Sequence, residues 1–141
     1  MANIVQTADG ALDIEGFDKT KAGFVSCNGE WLAASVDKSI YVASRRMVVK
    51  AISGRVEVAG TDAGAVTLTV RKAASGTAIG SGTALHSGTL NMKGTAATTQ
   101  DLTLSTTASD LVIEDGNAIV MDFTGVLTAA TGVVTIMLAP A

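Results

Sequence analysis

Several short stretches carry residue types that could do chemistry. The run GTAIGSGTALHSG, residues 76–88, is glycine-rich and includes His86. Such a loop cradles phosphate when it joins a strand to a helix, as G-x-G-x-x-G in dinucleotide-binding folds or G-x-x-x-x-G-K-[ST] in P-loops. Here Gly80-Ser81-Gly82 is followed by Thr, Ala, Leu, His and Ser, glycine returns only at Gly88, and nothing helical follows. The stretch reads as a hairpin connection between strands.

His86 is the only histidine, so one chain cannot build a metal site from several imidazoles. A hydrolase would need a serine placed against it, and no G-x-S-x-G elbow is present. A lone histidine in a Ser/Gly-rich loop reads as a surface residue. Cys27 is the only cysteine. It lacks a local nucleophile signature and reads as a free, buried or partly buried thiol. Asp110, Glu114, Asp115 and Asn117 crowd oxygen ligands around one turn, but without the D-x-[DN]-x-[DN]-G order of a calcium loop they read as a solvated acidic turn. No carboxylate pair stands out as an acid/base couple. The chain is read as non-enzymatic, with no catalytic residue, no cofactor and no metal.

The elements that would position such groups are strands. Period-two alternation places Val56 and Val58 on one face, then, after a break at Gly60–Gly64, Val66, Leu68 and Val70. Alternation around a Gly/Asp-rich break predicts a hairpin. LVIEDGNAIVMDF predicts another, since Asp-Gly is a strong hairpin signal. SIYVA, MVVKAI, RVEV, VTLTV, the glycine-rich hairpin, DLTL, LVI, NAIVMDF and VVTIML amount to about eight strands, separated by Gly, Ser, Thr and Ala. The only proline, Pro140, falls after the last of them. The expected fold is all-β: an antiparallel two-sheet sandwich of the jelly-roll type over residues 39–141.

Residues 1–38 alternate poorly, yet they hold Phe17, Phe24 and Trp31 among a total of three Phe, one Trp and one Tyr. Gly16, Gly23 and Gly29 would weaken a helix through those rings. The segment reads as an extended or irregular N-terminal arm. Its aromatics need cover, from the chain's own sandwich or from a neighbour. Phe17, Phe24, Trp31, Leu32 and Tyr41 are the expected residues of such an interface.

Bulk composition narrows the partners. At 141 residues the chain suits one domain, burying roughly 68–70% of its unfolded surface. It is 48% hydrophobic but 4% aromatic, so Ala and Val dominate and favour shallow surfaces over deep pockets. A net charge of −3 argues against nucleic acid, and Arg45-Arg46 with Lys50 reads as a solvated strand end. No apolar run approaches the roughly 18 residues that span a bilayer. The start shows no positive side chain before Lys19 and no apolar core of an export signal, which points to folding in a reducing cytoplasm.

The segment from Tyr41 to Pro140 resembles a family of small bacteriophage head proteins. The stretches that carry the likeness are VEVAGTDAGAVTLTVRKAASGTAI, SGTLNMKGTAATTQDLTL, LVIEDGNAIVMDFTG and VVTIMLAP. The family is that of capsid cement, or decoration, proteins, including one from a short-tailed phage of Bordetella. The resemblance implies a jelly-roll virion protein on the outer surface of an icosahedral capsid. It also implies homodimers that bridge major capsid protein subunits, with no membrane or nucleic-acid partner. The same composition would suit a receptor- or carbohydrate-binding sandwich of a phage fibre. Sugar binders usually stack rings, and after Tyr41 only Phe123 is aromatic.

Overall fold

The computed structural model describes residues 4–6, 12–14 and 24–141. Two short strands, β1 (Ile4–Gln6) and β2 (Leu12–Ile14), pair antiparallel with Ile4 opposite Ile14. The remaining strands are β3 (Val25–Trp31), β4 (Lys38–Val42), β5 (Met47–Val58), β6 (Thr67–Ala73), β7 (Thr83–Ala84), β8 (Leu90–Asn91), β9 (Thr98–Asp101), β10 (Val112–Ile113), β11 (Ala118–Thr124) and β12 (Thr131–Pro140). Helical structure among the described residues is confined to two 3₁₀ turns, Ile79–Ser81 and Ala108–Leu111.

Two antiparallel sheets form a sandwich. In one, β3, β12 and β5 lie side by side, and β9 and β10 both pair with the far edge of β5. In the other, β4, β11 and β6 lie side by side, and β7 and β8 both pair with the far edge of β6. Counting β7 with β8 and β9 with β10 leaves eight strand positions. One sheet runs first-eighth-third-sixth and the other second-seventh-fourth-fifth. That is the double Greek key of a jelly roll.

Alternation fills the space between the sheets. Ile52 and Val56 of β5 and Val134, Ile136 and Leu138 of β12 face Leu68 and Val70 of β6 and Ile119 and Met121 of β11. These side chains are essentially inaccessible to water, and fully burying each contributes about 1.5–3 kcal/mol.

The structure departs from the sequence expectation in instructive places. MVVKAI and RVEV form a single strand of 12 residues, β5. Its register against β12 shifts between Met137 and Leu138, with Lys50 the extra residue of a bulge in β5. The inward positions pass from Met47 and Val49 to Ile52, Gly54 and Val56, so the alternation looks broken in sequence. Gly54 does not interrupt the strand; a Cβ there would overlap the side chain of Leu90.

Neither expected hairpin at a Gly/Asp break is one. β5 and β6 lie in opposite sheets, as do β10 and β11. The breaks at 59–66 and 114–117 are arches that carry the chain across the core. The 74–82 stretch, by contrast, does join paired strands, since Thr83 and Ala84 lie opposite Lys72 and Arg71. Pro140 is the last residue of β12, opposite Met47, rather than beyond the strand.

The expectation of an irregular arm through residue 38 gives way at β3. Val25–Trp31 pairs along its whole length with β12, from Leu138 to Gly132. Cys27, Gly29 and Trp31 point inward and Ser26, Asn28 and Glu30 outward. Gly29 made this strand hard to read, yet it and Gly132 of the neighbouring β12 both serve packing. Gly29 makes room for Met121 and Ile40, and Gly132 makes room for the Trp31 ring.

Candidate functional site

Strand direction divides the surface into two ends. Trp31, Val58, Thr67, Asn91, Thr124 and Thr131 lie at one end, which carries the β3–β4, β5–β6, β8–β9 and β11–β12 loops. The β11–β12 loop ties this end together. Leu127 O accepts from Ala34 N–H at 3.4 Å, and Thr128 O accepts from Thr61 N–H at 3.0 Å. Asp37 Oδ1 accepts from Phe123 N–H at 2.8 Å. Lys93 Nζ donates to Asp62 O at 2.6 Å and Gly64 O at 3.1 Å. Cross-linked loops of this kind present a preformed surface.

That surface carries exposed apolar side chains among polar ones. Leu32, Val36, Val58 and Val126 are 64%, 75%, 49% and 61% exposed, and all four belong to this end. Two shallow recesses open beside them. One, of about 380 Å³, is lined by Glu30, Trp31, Leu32, Glu57, Thr131, Gly132 and Val133. The other, of about 350 Å³, is lined by Ser35, Val36, Asp37, Phe123, Gly125 and Leu127. Clustered exposed hydrophobics mark association surfaces more often than isolated ones do.

The outer face of the β3–β12–β5 sheet is mostly polar and satisfied. Thr135 Oγ1 donates to Asn28 Oδ1 at 2.8 Å, Ser53 Oγ donates to Asp101 Oδ1 at 2.6 Å, and Arg55 Nε lies 2.8 Å from Glu57 Oε1. The opposite end of the sandwich holds Phe24, the 43–46 and 114–117 turns and the C-terminus, whose Ala141 N–H donates to Arg46 O at 3.3 Å.

The sequence-derived interface residues do not form one patch. Phe17 lies outside the described residues. Phe24 is 43% exposed and Leu32 64% exposed, but they flank opposite ends of β3. Eight steps of an extended strand separate them by about 26 Å. Trp31 is fully buried, in the chain's own core, and Tyr41 packs partly buried against that core. The Trp31 indole Nε1 is a buried donor without a partner. Val36, Val58 and Val126 were not expected at a surface; nothing in the alternation distinguishes a valine on an exposed loop or strand end from one in the core.

His86 is a correction. It is buried, and its Nε2 accepts from Val70 N–H at 2.9 Å. Nε2 therefore carries no proton, and Nδ1–H faces Ser87 O at 3.3 Å. Leu85 N–H donates to Val70 O at 3.0 Å, so the ring completes a ladder step that the backbone would otherwise make. An isolated bridge pairs His86 with Leu104, and Ser105 N–H donates to Leu85 O, fastening the segment to the strand beyond. Burial lowers the imidazole pKa below its ordinary range, against hydrogen bonding to Ser87 and Gly88, and the Arg71 charge lowers it further.

The other chemical candidates do not assemble. Burial pushes the Cys27 thiol up to about 11, which makes it a poor nucleophile near neutral pH. At the acidic turn, Glu114 Oε1 takes Arg46 Nε at 3.2 Å and Asp110 Oδ2 takes Ser105 Oγ at 2.7 Å. Among the described residues no group of three or more His, Cys, Asp and Glu could hold a metal ion. The glycine-rich run forms a 3₁₀ turn whose Gly82 N–H bonds back to Ile79 O, so its amides do not converge on an anion. Arg71 is occupied by Asp122 at 2.6 Å and Gly82 O at 3.1 Å, and Lys72 by Ser109 O and Val112 O.

No family model and no curated protein matches this chain. Two solved structures share its fold. A chain in the capsid of Ralstonia phage GP4 is 13% identical, with a TM-score of 0.58, covering 85% of this chain and 86% of that one. A chain in the capsid asymmetric unit of cyanophage Pam1 is 14% identical, with a TM-score of 0.58, covering 97% of this chain and 98% of that one. Near-equal coverage makes each matched chain about as long as this one. At these identities the likeness is one of fold.

Proposed function

We propose that the chain is a capsid cement protein: a virion component that binds the outer surface of an icosahedral phage shell and bridges major capsid protein subunits. The observation that carries this reading is the jelly roll shared, over nearly the whole chain, with chains of the same size found in two phage capsids. The cross-linked loop end, with its exposed apolar side chains, offers a contact surface consistent with docking on a shell. The structural role is non-enzymatic on this reading, and the protein, made in host cytoplasm, pairs as a homodimer on the virion. Kinship with the cement protein of a short-tailed Bordetella phage belongs to the same proposal.

The aromatic rings favour it over a sugar-binding fibre module. Trp31 is in the core and Tyr41 and Phe123 are partly buried against it, which leaves Phe24 as the exposed ring among the described residues. Imaging expanded, undecorated phage heads after mixing with purified protein tests the proposal. Added density on the outer surface, in contact with neighbouring capsid subunits, is the expected result. Bare heads at saturating protein would refute it.

A further inference from the structure

The edges of the sandwich are unequal. One side closes with β7, β8, β9 and β10, strands of two to four residues interrupted by both 3₁₀ turns. Short, broken edges discourage strand addition. On the other side β3 runs seven residues without interruption, and among the described residues no strand pairs with its outer edge. Lys38 Nζ of β4 donates to Glu30 O, which marks the backbone groups of Glu30 as facing that edge. Alternation along the strand then places the N–H and C=O of Ser26 and Asn28 there as well.

We propose that β3 pairs with β3 of a second copy, antiparallel about a two-fold axis through Asn28. The proposal rests on the cement reading for its place in an assembly, while the pairing itself is a property of the isolated protein. Such an axis sets residue 24 opposite 32, 26 opposite 30, and 28 opposite its own counterpart. Phe24 and Leu32, the exposed apolar residues that bracket β3, are then brought together twice, each Phe24 against the partner's Leu32. Ser26 meets the partner's Glu30, and Asn28 meets the partner's Asn28. Glu30 is the only charge in VSCNGEW, so no like charges stand opposite one another. The Glu30 carbonyl keeps a second lone pair for the partner's Ser26 N–H while Lys38 holds the first. A lysine across an edge guards against indiscriminate addition; a strand complementary to β3 in side chains as well as backbone is the occupant it admits. The two residues that lie about 26 Å apart in one copy thereby become neighbours in the pair.

Sedimentation of the full chain at micromolar concentration is expected to show a dimer, twice 14.2 kDa. In a hydrogen-bonded antiparallel pair the facing Cα atoms are about 5.5 Å apart, within the range a disulfide spans. Cys27→Ser/Asn28→Cys should therefore oxidise to a covalent dimer, while Cys27→Ser/Lys50→Cys should not. Leu32→Glu should weaken dimerisation roughly tenfold, the loss of two cross-strand apolar pairs, while its circular dichroism spectrum stays that of the folded wild type. A monomeric wild type, or a dimer that Asn28→Cys fails to cross-link, overturns the pairing. A cross-linkable dimer that ignores phage heads overturns the cement reading alone, and a monomer that decorates heads overturns the pairing alone.

Discussion

Replacing His86 probes whether a side chain can stand in for a ladder carbonyl. His86→Ala leaves Val70 N–H buried without an acceptor, because Nε2 is the group that takes it at 2.9 Å. An orphaned buried donor costs about 1–3 kcal/mol. The vacated ring volume adds to that cost, so we expect about 2–4 kcal/mol in all. His86→Gln, whose amide oxygen can reach the position of Nε2, should recover roughly 1 kcal/mol of it. The pH dependence supplies a second readout. Burial lowers the folded-state pKa. Both states are therefore neutral well above pH 6.5, the ordinary value, and stability is complete there. As pH falls below that value the unfolded chain takes up a proton that the fold resists, and stability declines. A single site limits the slope to about 1.4 kcal/mol per pH unit. No other histidine contributes in this window. Urea unfolding of the wild type and both variants, from pH 7.5 down to pH 5, measures all of this. If His86→Ala costs under about 0.5 kcal/mol, or if His86→Gln keeps the wild-type slope, the ring is not the acceptor.

Gly132→Ala places a Cβ against the Arg55 carbonyl oxygen and the Trp31 ring. It should destabilise by about 1–3 kcal/mol, visible as a lowered melting temperature, and an unchanged one would mean that Trp31 repacks freely. Deleting residues 1–23 should leave a cooperatively folding protein, whereas deleting 1–30 removes most of β3 and uncovers the β12 edge. Circular dichroism melts of the two truncations separate these outcomes, and a folded, cooperative 1–30 deletion would show that β3 is dispensable.

Strand existence was legible because burying one face of a sheet imposes period two on the sequence. β4, β6, β11 and β12 fall close to the stretches that alternate. Strand partnership was not legible. Alternation reports that a face is buried, not whether the next strand lies beside it in the same sheet or across the core from it. Glu114-Asp115-Gly116-Asn117 forms a turn, with Asn117 N–H donating to Glu114 O at 3.0 Å and Gly116 at a φ of 81°, yet it links opposite sheets. The local chemistry of an arch and of a hairpin is the same there. The burial of His86 was hidden for a related reason, since it depends on how the chain returns along β6 and onto Leu104.

Glycine was the most misleading signal, and its role accounts for the candidate site as well. In sequence, Gly29, Gly54 and Gly132 look like interruptions. In the sandwich each lies inward and makes room for a large side chain: Met121, Leu90 and Trp31 respectively. A chain with 4% aromatic residues builds its core by setting a few large groups over glycines rather than by stacking many rings. Trp31 is thereby drawn inward and cannot serve as a surface anchor. On the proposed reading, contact with other molecules falls to the β3 edge and the loop tips, since polar groups on the outer face of the β3–β12–β5 sheet are spent on one another. The cement reading needs two surfaces, one for the shell and one for a twin, and the loop end and the β3 edge adjoin at Leu32. A variant at Leu32, which belongs to both, should therefore weaken dimerisation and head binding together, whereas Val126→Glu should weaken head binding while leaving the dimer intact.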